Sequence, residues 1–174
     1  MHRHLKRLLG ALAALLVCGC ASNVTMEHGA HGPYRYGGER YNNVAISWSE
    51  NLAADADKVG RLQELRLDRA IVNHLLENRL YDRQSGASIN VVVTDFRFRN
   101  SFNAIAFGFM SGADELDGLV TLMGADGREL ARFNITASYA LGGFAGGQTD
   151  NRLGWLSGKF AELAVNTIMN RHTN

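Results

Sequence analysis

The chain has 174 residues, in which 18 Lys and Arg stand against 17 Asp and Glu, and it holds only two cysteines. A near-neutral balance without a polybasic block leaves no electrostatic footprint for nucleic acid, and this length buries one good core, so one domain is expected. Both cysteines precede residue 21, so the remainder of the chain has no thiol nucleophile and no disulfide.

The first element reads as an export signal. His2, Arg3, His4, Lys6 and Arg7 form a basic head, and residues 8–17 form an apolar run. About ten residues are too few to span a hydrocarbon core of ~30 Å as a helix. The run ends in Val17-Cys18-Gly19-Cys20, which resembles the bacterial lipobox: an aliphatic residue, a small residue, Gly or Ala, and then the cysteine that is lipidated and becomes residue one. The resemblance implies a signal peptide over 1–19, acyl chains such as palmitate on Cys20, and loss of Cys18 with the peptide. Several chains anchor firmly where a single one binds only marginally. A Cys-x-Cys zinc site is disfavoured because zinc needs two more ligands that no nearby residue supplies. Ala21 rather than Asp after Cys20 looks like sorting to the outer membrane, with the domain facing the periplasm. Loss of Arg3, Lys6 and Arg7 leaves 15 basic against 17 acidic residues, a net of −2.

Residues 20–40 carry four glycines, the only proline and no hydrophobic period, the composition of a lipidated flexible tether. Glu27, His28 and His31 have the residue types of a metal site, but a Gly-rich arm does not preorganise ligands, so no metal and no cofactor is expected.

The domain is expected over 41–174. Val44, Ile46 and Trp48 alternate with Ala45 and Ser47, the period of a strand. In 54–81, Leu62, Leu65, Val72, Leu76 and Leu80 fall on one side of a helical wheel, which predicts one long amphipathic helix, capped by Asp55 or Asp57. His74 stands at the edge of that stripe and reads as structural.

Residues 88–99 (SINVVVTDFRFR) form a β-branched and aromatic run. Strict alternation puts Ile89, Val91 and Val93 on one side with Asp95, Arg97 and Arg99, and Val92, Phe96 and Phe98 on the other. The charged ladder Asp95, Arg97 and Arg99 is a candidate interaction surface, weighed against an ordinary solvated strand face of little energetic value. The segment after it breaks the alternation and gathers Phe102, Ile105, Phe107, Phe109 and Met110. Such an apolar stretch is an interaction surface if exposed, and otherwise a crossover laid on the sheet.

Residues 116–123 and 128–139 read as strands joined at Gly124-Ala125-Asp126-Gly127, where Asp-Gly signals a hairpin. Ala131, Phe133, Ile135, Ala137 and Tyr139 share one side of the second strand. Residues 141–149 (LGGFAGGQT) lack the Lys-Ser/Thr pair of a phosphate loop. Leu153, Leu156, Phe160, Leu163, Ala164, Thr167 and Ile168 then define a helix opened by Asp150 or Asn151. The order β-α-β-β-β-α predicts an α+β two-layer sandwich: a mixed, mostly antiparallel four-stranded sheet with two helices on one face.

The stretch TDFRFRNSFNAIAFGFMSGADELDGLVTLMGADGRELARFNITAS, followed by the GGFAGG loop and the terminal helix, resembles the bacterial lipoproteins of domain-of-unknown-function family 4410 over about residues 44–170. That resemblance implies location and fold rather than chemistry. The layout is also similar, at fold level alone, to periplasmic domains of the curli-secretion lipoprotein and of lipoprotein activators of peptidoglycan synthases. No Gly-x-Ser-x-Gly elbow occurs, and His28, His31, His74 and His172 fall in a linker, a helix edge and a terminus, so no catalytic residue is expected. Asp114, Glu115 and Asp117 are weighed as a cation or acid–base group and read as solvated turn residues. The expected protein is a non-catalytic interaction module. Its partners are the membrane through its lipid and an envelope protein or the cell wall, with no nucleic acid. The alternative is a subunit of an oligomeric envelope or secretion assembly, which makes a homo-oligomer possible.

Overall fold

The computed structural model describes residues 22–27, 33–100, 112–140 and 148–171. Cys20, His28, His31, Phe102, Ile105, Phe107, Phe109, Met110 and the glycine loop 141–147 lie outside these residues. The described elements are β1 (Asn23–Met26), β2 (Tyr41–Trp48), the one-turn helix α1 (Glu50–Ala53), α2 (Ala56–Glu64), α3 (Leu67–Glu77), β3 (Ala87–Arg97), β4 (Asp114–Met123), β5 (Glu129–Tyr139) and α4 (Thr149–Ile168).

The class is α+β, with one mixed sheet in the order β1-β5-β4-β3-β2. β2 pairs parallel with β3 through the helical crossover, and the remaining pairs are antiparallel. The sheet has five described strands rather than four, because β1 adds to β5 with Asn23 opposite Thr136 and Met26 opposite Phe133. Within the expected tether, the described residues 22–26, Tyr34 and Tyr36 are held to the domain. Ser22 Oγ accepts from the Ser138 amide at 3.0 Å, and Val24, Tyr34 and Tyr36 pack against the core. Asn170, just past α4, accepts from the Tyr36 amide and donates to the Tyr34 carbonyl. Burial pushes the Tyr34 hydroxyl up to about 12 and raises Tyr41 further.

The single long helix is also corrected. Asp55 caps α2 by accepting from the Lys58 amide at 3.1 Å, but the run breaks at Arg66, whose φ of 47° is left-handed. Such a residue cannot continue a helix, and the break re-phases the apolar stripe. Leu62 and Leu65 are buried as expected, but α3 buries Leu67, Ile71 and Leu75, while Val72 is half-buried and Leu76 is 53% exposed. α4 begins at Thr149, with Gln148 at its N-cap and no side-chain cap bond. Its buried face contains Leu153, Leu156, Phe160, Leu163, Ala164 and Ile168, and Thr167 is half-buried.

α3 and α4 pack on each other and on the sheet. β4 alternates between buried and half-exposed side chains along its whole length, so one sheet face is core and the other meets solvent. Gly118 lets the helix layer approach closely, since a Cβ there would stand 2.9 Å from Phe160 Cζ. The hairpin closes as its Asp-Gly pair predicts, with Gly127 at φ 78° and its amide donating to Gly124 O at 2.9 Å.

Candidate functional site

β3 does not alternate strictly. Its register against β4 shifts between Val93 and Asp95, a bulge that leaves Thr94 and Asp95 both outward and turns Phe96 inward beside Val93. The charged ladder therefore does not exist as one surface. Asp95 is exposed opposite Asp117, and Arg97 is exposed and paired with Glu115 at 2.8 Å. Arg99 is 8% exposed and lies inside the protein.

Arg99 belongs to a buried cluster with Asp114 and Arg152, both fully buried. The first residue of β4, Asp114, follows Gly112, whose φ of 86° suits glycine. Its Oδ1 accepts from the Arg99 amide at 2.8 Å and from Arg152 Nη2 at 2.6 Å. Its Oδ2 accepts from Arg99 Nη2 at 3.1 Å and Arg152 Nε at 2.7 Å. Arg99 also donates to the Gly112 and Tyr139 carbonyls, and Arg152 to the Arg99 carbonyl. The Arg152 guanidinium lies 4.0 Å above the Phe98 ring, which stacks on Phe96. Burial by itself would raise the Asp114 carboxyl, but the bonds from Arg152 and Arg99 outweigh it and hold the group below the usual carboxylate range.

This cluster ties together the end of β3, the start of β4, the end of β5 and the first turn of α4. Those are the attachment points of segments 101–111 and 141–147, both of which leave and rejoin the domain at one end of the sheet. The carboxylate is enclosed by its donors, so the geometry suits a clasp rather than proton transfer. Asp114 is thus not a solvated turn residue. Glu115 neutralises Arg97, and Asp117 accepts from the Thr136 hydroxyl. Glu27, weighed as a ligand, accepts from Asn134 Nδ2 at 2.9 Å. Arg152 was missed from the sequence, although its place one turn before Leu156 on the apolar stripe of α4 is the signal of a buried charge.

At the far lateral edge, β2 and the helices enclose a groove of about 500 Å³. Val44, Ile46, Trp48, Leu62 and Leu67 form its apolar wall, with Gln63, Arg66 and Asp68 at the rim. Among the described residues no helix is long and apolar enough to cross a membrane.

The chain belongs to the family described as Domain of unknown function (DUF4410), whose pattern matches residues 50–143, more than half of the sequence. Its fold is similar to that of the PelC dodecamer from Paraburkholderia phytofirmans, with a TM-score of 0.53 and 11% identity over 88% of this chain and 100% of that one. A leucine-to-methionine variant of the same dodecamer gives a TM-score of 0.51 and 12% identity over the same shares. At that identity the likeness is one of fold. No curated protein matches the chain.

Proposed function

We propose that this member of the DUF4410 family is a lipid-anchored protein of the outer membrane that faces the periplasm and acts by assembly with protein rather than by catalysis. The assembly we favour is one of its own copies. The observation that carries this reading is the pair of edge strands that, among the described residues, have no further strand beside them apart from the bridge of Tyr41 to Tyr81. β1 and β2 end the sheet on opposite sides, and the apolar groove of Val44, Ile46 and Trp48 lies beside β2. Edge strands left open are templates for pairing, and two different edges meeting head to tail give a heterologous contact, which forms a ring where the rotation between copies closes. Following the strand directions across the sheet, β1 of one copy would run antiparallel to β2 of the next. The dodecameric state of the two PelC structures favours the same reading.

Segment 102–110 is read as a surface for an envelope protein in the same membrane, with the clasp of Arg99, Asp114 and Arg152 holding its attachment points. Anchoring rests on Cys20: Cys20→Ser should abolish palmitate labelling and release the protein from membranes, and a labelled, membrane-bound variant would overturn it. Assembly is tested by native mass measurement of the detergent-solubilised lipidated chain. A mass several times that of one chain is expected, reduced by Ile46→Lys while the thermal transition persists. A monomer at every concentration would refute self-assembly.

A further inference from the structure

The placement of β1 fixes how far the folded domain stands from its lipid. If Cys20 carries the acyl chains, as proposed above, only Ala21 separates it from Ser22, whose hydroxyl already accepts from the Ser138 amide of β5 at 3.0 Å. Two residue steps span at most about 7 Å, comparable to the depth of the interfacial layer on one side of a bilayer. The anchor is therefore a short stalk with no room for the domain to tumble, and the part of the domain nearest the lipid is the end where β1 begins and β5 finishes.

The chemistry of that end fits a lipid boundary. Trp155, in the second turn of α4, is 38% exposed and one of few large apolar side chains in the described residues left open to solvent. It packs against Tyr139, the last residue of β5, with ring centroids 5.1 Å apart. Tyr139 follows Ser138, the residue bonded to Ser22. An exposed indole backed by the buried ring of Tyr139, one residue from the anchoring bond, is the amphipathic side chain that membrane–water boundaries favour. The buried Arg99–Asp114–Arg152 cluster stiffens the same end, so the position of Trp155 relative to Ser22 is set by the fold.

We propose that the domain stands on the membrane with the Ser22, Tyr139 and Trp155 end against the lipid surface and the Trp155 indole at the headgroup boundary. The strands then point toward the bilayer, and the edges β1 and β2 face sideways, where neighbouring copies in the same membrane can reach them.

The chain has only two tryptophans, Trp48 and Trp155, which makes the test direct. The full lipidated chain carrying Trp48→Phe, with folding checked by circular dichroism, is reconstituted into phosphatidylcholine vesicles whose acyl chains are brominated close to the headgroup. Its fluorescence should fall to about half or less of that in unbrominated vesicles, the response of an indole in contact with the quencher. The reciprocal variant Trp155→Phe, which keeps Trp48 on the opposite edge, should lose most of that quenching. A lipidated, vesicle-bound protein whose Trp155 is not quenched overturns the orientation and leaves the anchor intact. Equal quenching with and without Trp155 overturns it as well. A chain that incorporates no palmitate and does not float with vesicles overturns the anchor reading, and the orientation with it.

Discussion

Asp114→Asn is the substitution that most directly probes the clasp. The wild-type carboxylate is fully buried and accepts from the Arg99 amide, the Arg99 guanidinium and the Arg152 guanidinium. An amide of nearly the same shape keeps one oxygen, turns an NH2 toward the guanidinium donors and leaves two buried cations without their counter-charge. Breaking a buried ion pair in this way costs about 3–5 kcal/mol. For a domain of this size each kcal/mol moves the melting temperature by roughly 2–4 °C, so a loss of about 6–20 °C is expected near neutral pH. Chemical denaturation read by tryptophan fluorescence and circular dichroism measures it. The pH dependence provides an internal control. The folded-state carboxyl lies below its ordinary value, so its contribution is fully present above the unfolded pKa of about 3.9 and is lost as pH falls through the folded value. The gap between wild type and Asp114→Asn should close at strongly acid pH. A cost below ~1 kcal/mol at neutral pH, or a gap that stays constant into acid, would refute the clasp. Replacing Arg99, Asp114 and Arg152 together by Met, Leu and Met should cost far less than Asp114→Asn alone, because no buried charge is stranded.

Three further outcomes follow from the packing. Leu75→Ala should cost about 2–5 kcal/mol, whereas Leu76→Ala on the exposed side of α3 should stay within ~0.5 kcal/mol; equal costs in denaturant titrations would contradict the re-phasing at Arg66. Gly118→Val puts side-chain atoms where Phe160 already stands 2.9 Å from a Cβ position, so a loss of about 1–3 kcal/mol is expected, and a neutral result would mean that the α4–β4 contact is looser than described. Asp55→Ala removes the acceptor for the Lys58 amide and should lower the thermal transition by an amount equivalent to about 1 kcal/mol, with Asp55→Ser retaining most of the stability.

The hairpin of β4 and β5 and the buried stripe of α4 were determined by the sequence alone. Local periodicity dictates them: Phe133, Ile135 and Ala137 recur every second residue, Leu156, Phe160 and Leu163 recur at helical spacing, and Asp126-Gly127 supplies the turn. So was the family, because the strand, hairpin and loop pattern of 94–138 is local too. Other features depended on tertiary structure because their cause lies elsewhere in the chain. β1 has four residues and one half-buried apolar side chain, Val24, too little signal to read as a strand until the free edge of β5 supplies its hydrogen bonds. The bulge after Val93 is set by the register against β4, and it turns Phe96 inward and dissolves the ladder that strict alternation would have made of Asp95, Arg97 and Arg99. The left-handed Arg66 divides a stripe that reads as continuous on a helical wheel. The clasp joins residues 99, 114 and 152, whose separation in sequence hides a pairing that only burial at one end of the sheet makes necessary. A charge removed from water must find its partner wherever the fold brings one.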